Sequence, residues 1–168
     1  LKALEIHGFK SFAQKTRLTF DKPVTAIGEK AFENVETVTD VILEEGVEQI
    51  EVGAFWRASA LRTVSLPLTL KSMDRGAFGM TGLEYVAIPH GVRELPARAF
   101  DYCKQLKRID LPDTLEKIGE EALARTRKLM TVFIPRSVKT IERSAFHDSG
   151  VGCICFEADN LPEGAATV

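Results

Sequence analysis

Ala77-Phe78-Gly79-Met80-Thr81-Gly82-Leu83-Glu84-Tyr85-Val86-Ala87-Ile88-Pro89 holds the pattern from which the rest of the chain can be read. An Ala-Phe pair is followed by a small residue, Thr81, and then by apolar-x-x-apolar-x-apolar at Leu83, Val86 and Ile88. A proline ends it. The alternating end of this run reads as a half-buried strand with one face inward. Proline has no N–H to give to a strand ladder, so Pro89 reads as the strand's stop.

The same order of residues recurs along the chain. Phe32, Phe55, Phe78, Phe100 and Phe146 each follow an alanine, and Ala122-Leu123 fills the gap. The steps are 23, 23, 22, 23 and 23 residues. Two further apolar positions precede each pair: Val24 and Ile27, Val47 and Ile50, Leu70 and Met73, Val92 and Leu95, Leu115 and Ile118, Val138 and Ile141. The small position holds Val35, Ala58, Thr81, Cys103, Thr126 and Ser149. The strands read Val38/Val41/Leu43, Leu61/Val64/Leu66, Leu83/Val86/Ile88, Leu106/Ile109/Leu111, Leu129/Val132/Ile134 and Val151/Ile154/Phe156. Pro67, Pro89, Pro112 and Pro135 close four of them.

A period of this length marks a solenoid, in which one unit cannot bury its apolar side and stacked units set like residues above like. Two units are a residue shorter, at Thr81-Gly82-Leu83 and Ser149-Gly150-Val151, where glycine is expected to tolerate a tighter turn. The fold class expected is strand-rich α/β, a solenoid of six units over residues 24–157. Residues 158–168 read as a tail.

These motifs, Val-x-x-Ile-Gly-x-x-Ala-Phe at Val24–Phe32 and Leu-x-x-Val-x-Ile-Pro at Leu83–Pro89, resemble the BspA-type leucine-rich repeats of bacterial surface proteins. The resemblance implies a right-handed solenoid with a parallel sheet along one side, and non-enzymatic binding of protein or glycan, often in adhesion at a cell surface.

Residues 1–27 resemble a different family. Leu1-Lys2-Ala3-Leu4-Glu5-Ile6-His7-Gly8-Phe9-Lys10-Ser11-Phe12, running on to Phe20-Asp21-Lys22-Pro23, is similar to the start of bacterial structural-maintenance-of-chromosomes ATPases. In that family a glycine-rich phosphate loop follows. Here Gly28-Glu29-Lys30-Ala31-Phe32 follows instead, and no Gly-x4-Gly-Lys-Ser/Thr occurs anywhere. No ATP site is therefore carried over. The segment also fits the repeat register. Leu1 and Leu4 lie 23 residues before Val24 and Ile27, Gly8-Phe9 falls where Ala-Phe would, and Leu18 and Phe20 fall on strand positions. Residues 1–23 are accordingly expected to form a divergent first coil or cap.

Composition narrows the function. The 168 residues are 27% charged and 45% apolar, with a net charge of −2. That balance offers no electrostatic footprint for nucleic acid. No apolar run approaches a membrane span, and the first residues do not read as a signal peptide. Export at the surface is expected if a signal lies upstream, and a cytoplasmic chain otherwise. A structural fragment or recombination product without a ligand is the alternative. Three cysteines are too few for a disulfide framework.

Catalytic chemistry is not suggested. His7, His90 and His147 occupy unrelated repeat positions, and Glu44-Glu45 and Glu120-Glu121 read as solvated turns. Cys153-x-Cys155 lies on one strand face, where a metal or redox pair is conceivable. Zinc asks for four ligands, and without a second pair nearby both read as variable surface positions. Cys103 reads as core, and Trp56 as packing on a neighbouring coil, with an exposed anchor as the alternative. No cofactor or metal is expected.

Binding is expected on the outward strand positions, which vary while the ladder repeats. These are Asp40/Ile42, Thr63/Ser65, Tyr85/Ala87, Arg108/Asp110, Thr131/Phe133 and Cys153/Cys155. Aromatic residues and arginine are common interface anchors, so Tyr85, Arg108, Asp110 and Phe133 lead that set.

Overall fold

The structure, a computed structural model, describes residues 16–18, 24–157 and 161–165. Each unit supplies two short parallel strands. The longer ones come from the apolar-x-apolar runs: β1 (Thr16–Leu18), β3 (Asp40–Leu43), β5 (Thr63–Ser65), β7 (Tyr85–Ala87), β9 (Arg108–Asp110), β11 (Thr131–Ile134) and β13 (Cys153–Phe156). The shorter ones are β2 (Ala26–Ile27), β4 (Gln49–Ile50), β6 (Ser72–Met73), β8 (Glu94–Leu95), β10 (Lys117–Ile118) and β12 (Thr140–Ile141). No α-helix occurs among the described residues.

The long strands pair in the order β1-β3-β5-β7-β9, with β11-β13 as a separate pair. A second sheet, not foreseen from the sequence, runs alongside as β2-β4-β6 and β8-β10-β12. Register follows the repeat: Asp40 lies beside Thr63, Thr63 beside Tyr85, and Tyr85 beside Arg108. The first strand departs from it. Leu18 pairs with Leu43 rather than Val41, a register two residues off the one its sequence position implies. The expected matches of Leu1, Leu4, Gly8-Phe9 and Phe20 fall outside the described residues. Beyond β13, Glu163 bridges Thr140, 23 residues earlier, so the backbone of residues 161–165 continues the stacking.

The core is the repeat made solid. All six members of the Ile27–Ile141 column and of the Phe32–Phe146 column are buried. Phe32, Phe55, Phe78 and Phe100 stack with centroids 4.9, 5.0 and 5.6 Å apart and planes within 4° of parallel. Burying each ring is worth about 1.5–3 kcal/mol. Cys103 is fully buried. Its Sγ lies 3.1 Å from the Phe78 carbonyl and 3.2 Å from Thr81 Oγ1, and burial pushes the thiol up to about 11.

The Ala-Phe turns carry a backbone ladder of their own. The N–H groups of Lys30, Phe32 and Asn34 donate to Val52, Ala54 and Trp56 of the next coil, and later coils repeat this. Alternate N–H groups all point one way, as in a strand, yet the chain is turning. Positive φ at two positions per unit makes this possible: Lys30, Gly53, Gly76, Arg98, Glu121 and Ser144 in one column, Asn34, Arg57, Met80, Tyr102, Arg125 and Asp148 in the other.

The two short units need glycine for a reason other than the tight turn expected. Gly82 and Gly150 are not among the positive-φ residues. A Cβ on Gly150 would lie 2.2 Å from the Arg127 carbonyl oxygen, and one on Gly82 would lie 2.5 Å from that of Ser59. The shortened coil presses onto its neighbour's backbone, and only a missing side chain lets it.

Candidate functional site

On the long-strand sheet the outward positions form two columns, and the structure joins three of the expected residues into one cluster. The Tyr85 hydroxyl donates to Asp110 Oδ2 at 2.7 Å. Arg108 Nε and Nη2 donate to the two Asp110 oxygens at 2.7 and 3.0 Å. The guanidinium also sits 5.8 Å from the Tyr85 ring centre, within cation–π range. The hydrogen bond to Asp110 raises Tyr85 above its ordinary pKa, while the Arg108 guanidinium holds the Asp110 carboxyl below its own. The cluster is a preorganised platform of aromatic face and paired charge, and nothing in it resembles acid/base machinery.

The other outward residues are arranged more simply. Asp40 accepts hydrogen bonds from the hydroxyls of Thr39 and Thr63. Ile42 is half-buried beside Ser65, and Ala87 lies next to Asp110. Thr131 and Phe133 stand on β11, across the point where the sheet is interrupted. Phe133 is 63% exposed and Tyr85 46%. A cavity of about 300 Å³ lies at the interruption, with Asp110 and Ile109 on one side and Phe133 and Pro135 on the other. The ten residues therefore do not form one continuous face. The columns run unbroken from Asp40 to Asp110 and resume beyond this cleft.

Cys153 and Cys155 extend the columns to the last strand, and their sulfurs approach to 3.1 Å. The hydrogen bond between them pushes the Cys155 thiol up. Among the described residues no group of three or more His, Cys, Asp or Glu side chains could hold a metal ion. No helix among them is long and apolar enough to cross a membrane.

On the turn side, Trp56 packs on the next coil, as its position implies. Its ring edge occupies the space that side chains on Gly76 and Gly79 would need; a Cβ on Gly79 would lie 2.1 Å from it. A cavity of about 240 Å³ opens beside the indole, lined by Lys30, Glu33, Arg75 and Arg98 among others. Sequence reasoning did not single out this place. The pair of glycines one coil after the only tryptophan was the available signal.

The second sheet is interrupted between β6 and β8, where one rung of the ladder lacks its donor. The N–H groups of Asp74, Gly119 and Glu142 donate to Ile50, Leu95 and Ile118 of the preceding coils. Pro96 holds the equivalent position in the fourth unit and has no N–H to give. A cleft of about 360 Å³ lies there, lined by Lys71, Asp74, Arg75, Arg93, Glu94 and Pro96 among others.

Comparison with known proteins agrees with this geometry. The model of the BspA type leucine rich repeat region matches residues 2–78 and 25–152, in six copies. No curated protein matches the chain. Among solved structures, the fold is similar to the pneumococcal vaccine antigen PcpA (TM-score 0.78, 20% identity), over 88% of this chain and 41% of that one. It is similar to a leucine-rich repeat protein from Eubacterium ventriosum (TM-score 0.74, 19% identity), over 98% of this chain and 50% of that one. A leucine-rich repeat protein from Bacteroides ovatus matches with a TM-score of 0.64 and 23% identity, over 89% of this chain and 46% of that one. The chain thus spans half the length of these proteins or less. Six copies of one repeat model, set on a solenoid of two parallel sheets, make this chain a member of the BspA-type leucine-rich repeat family.

Proposed function

We propose that the chain is a non-catalytic binding module whose long-strand sheet takes a protein or glycan ligand, as part of a protein displayed at a bacterial surface. The observation that carries the reading is the pair of exposed aromatics, Phe133 lining the 300 Å³ cleft and Tyr85 one strand back from its Asp110 wall, with the Arg108–Asp110 pair between them. Rigid aromatics and arginine supply most of the energy in many interfaces. A hydrogen-bonded tyrosine loses little freedom on binding, which favours affinity. The surface setting rests on the family's resemblance to surface proteins.

The test is a double variant, Tyr85→Ser with Phe133→Ser, compared with the parent chain on a panel of immobilised matrix proteins and glycans. Both side chains are exposed, so the melting temperature is expected to stay within a few degrees. A ligand held by the parent should be lost by at least tenfold. Retention at parental affinity would place binding on another surface.

A further inference from the structure

Many charges on the second sheet and the turns pair across coils 23 residues apart. Lys71 meets Glu48 at 2.8 Å, Arg93 meets Glu116 at 2.6 Å, and Arg98 meets Glu121 at 2.9 Å. This alternation fails at one place. Lys71 and Arg93 hold the same position in successive coils, across the interruption made by Pro96, so cation follows cation. Arg75 lies between the 360 Å³ cleft and the Trp56 cavity and lines both. Its side chain makes no ion pair or hydrogen bond among the described residues. The Trp56 cavity is lined by three cations, Lys30, Arg75 and Arg98, and one acid, Glu33; Lys30 and Arg98 are paired with Glu29 and Glu121, which leaves Arg75 to meet a ligand.

We propose that this turn-side hollow is a subsite for an acidic saccharide, with Trp56 as the stacking wall for a sugar ring and Arg75 as the partner of its carboxylate or sulfate. The indole is only half-buried and is seated on the Gly76–Gly79 backbone, so its position is set before any ligand arrives. At about 240 Å³ the cavity is smaller than the ~300–1,000 Å³ common for drug-sized ligands. That suits a single ring with its charged substituent, and the adjoining cleft offers room for a second.

An acidic peptide fits less well. A strand added to this surface would need free backbone donors and acceptors. Here the N–H groups of Lys30, Gly53, Gly76 and Arg98 are already given to Val52, Arg75, Ala97 and Glu120 of the next coil. Recognition must come from side chains alone, by stacking and charge.

This site rests on the binding-module reading but uses a different surface from Tyr85 and Phe133. Trp56 is the only tryptophan, so its fluorescence reports on this place and on no other. The parent chain would be titrated with tetragalacturonate, with a heparin-derived tetrasaccharide, with neutral maltotetraose and with tetra-aspartate. We expect a saturable change in emission with one or both acidic saccharides; a response to tetragalacturonate shows that a carboxylate suffices, and a response to the heparin fragment alone shows that sulfate is required. The affinity should weaken at least tenfold in Arg75→Ala, fall by an intermediate amount in Arg75→Lys, and drop in 0.5 M salt. The absence of a saturable change, an equal response to maltotetraose or to tetra-aspartate, or unaltered binding by Arg75→Ala would overturn the proposal. None of those outcomes bears on the sheet face, which stands on its own double variant.

Discussion

Among the described residues ten other than glycine have positive φ, and they fall in two columns whose members are one repeat apart. Each costs about 1–2 kcal/mol relative to an ordinary conformation. The cost is offset by what the conformation achieves, a backbone N–H aimed at the next coil. The glycines at Gly53 and Gly76 hint at one column; the lysine, arginine and glutamate elsewhere in it conceal the requirement. Glycine also has a second use here, and a pair of variants separates it from the first. Gly150→Ala would drive a Cβ onto the Arg127 carbonyl and is expected to cost about 1–3 kcal/mol. Gly152→Ala, two residues on, meets nothing within 4 Å. It should stay within ~0.5 kcal/mol of the parent in urea unfolding. Equal effects would show that backbone contact is not what excludes a side chain at Gly150.

The elements are held together by stacking more than by their own length. A two-residue strand such as β8 has no independent stability, and it exists because Leu95 sits in a buried column between Met73 and Ile118. Where the ladder lacks a donor, the sheet opens. Pro96→Ala restores an N–H opposite the Met73 carbonyl. The expected outcome is that the residue-96 amide becomes protected from hydrogen exchange to the level of Gly119, with the cleft between β6 and β8 narrowing. Rapid exchange at that amide would mean that the facing cations Lys71 and Arg93, rather than the proline, keep the strands apart.

Across the whole molecule, carboxylates answer cations one coil away. Glu84 is held below its ordinary pKa by its hydrogen bond from Lys107, Glu116 by those from Lys139 and Arg93, and Glu142 by that from Lys117. Asp148 is lowered in the same sense by Arg127 of the preceding coil, and Asp110 by Arg108 on its own strand. A carboxyl whose folded pKa is depressed contributes stability above its unfolded value, and that stability is lost as pH falls through the folded value. The urea midpoint should therefore be flat from pH 7 to roughly 5 and fall below about pH 4, where unperturbed carboxyls titrate. High salt should reduce the plateau slightly, since exposed pairs are weak and screened. A midpoint that holds steady down to pH 3 would show that these pairs do not stabilise the stack.

Much of this fold was legible because repetition makes burial readable. Six units agree on which positions are apolar, and each such position is buried or half-buried on the core. The long strands and the outward columns follow from alternation alone, which is why Tyr85, Arg108 and Asp110 could be named in advance. Their joining into one cluster could not, because it depends on which unit stacks beside which and on the 23-residue step that sets Tyr85 next to Arg108. Likewise Phe133 reads as one more member of a column, and only the interruption between β9 and β11 sets it across a cleft. The sequence by itself determined the period, the core and the direction in which each strand residue faces, because those depend on positions within one unit. The tertiary structure decided the second sheet, the two breaks, the backbone contacts at Gly82 and Gly150 and the hollow beside Trp56. All of these arise between coils, where a single proline or a single missing residue changes what its neighbour can reach.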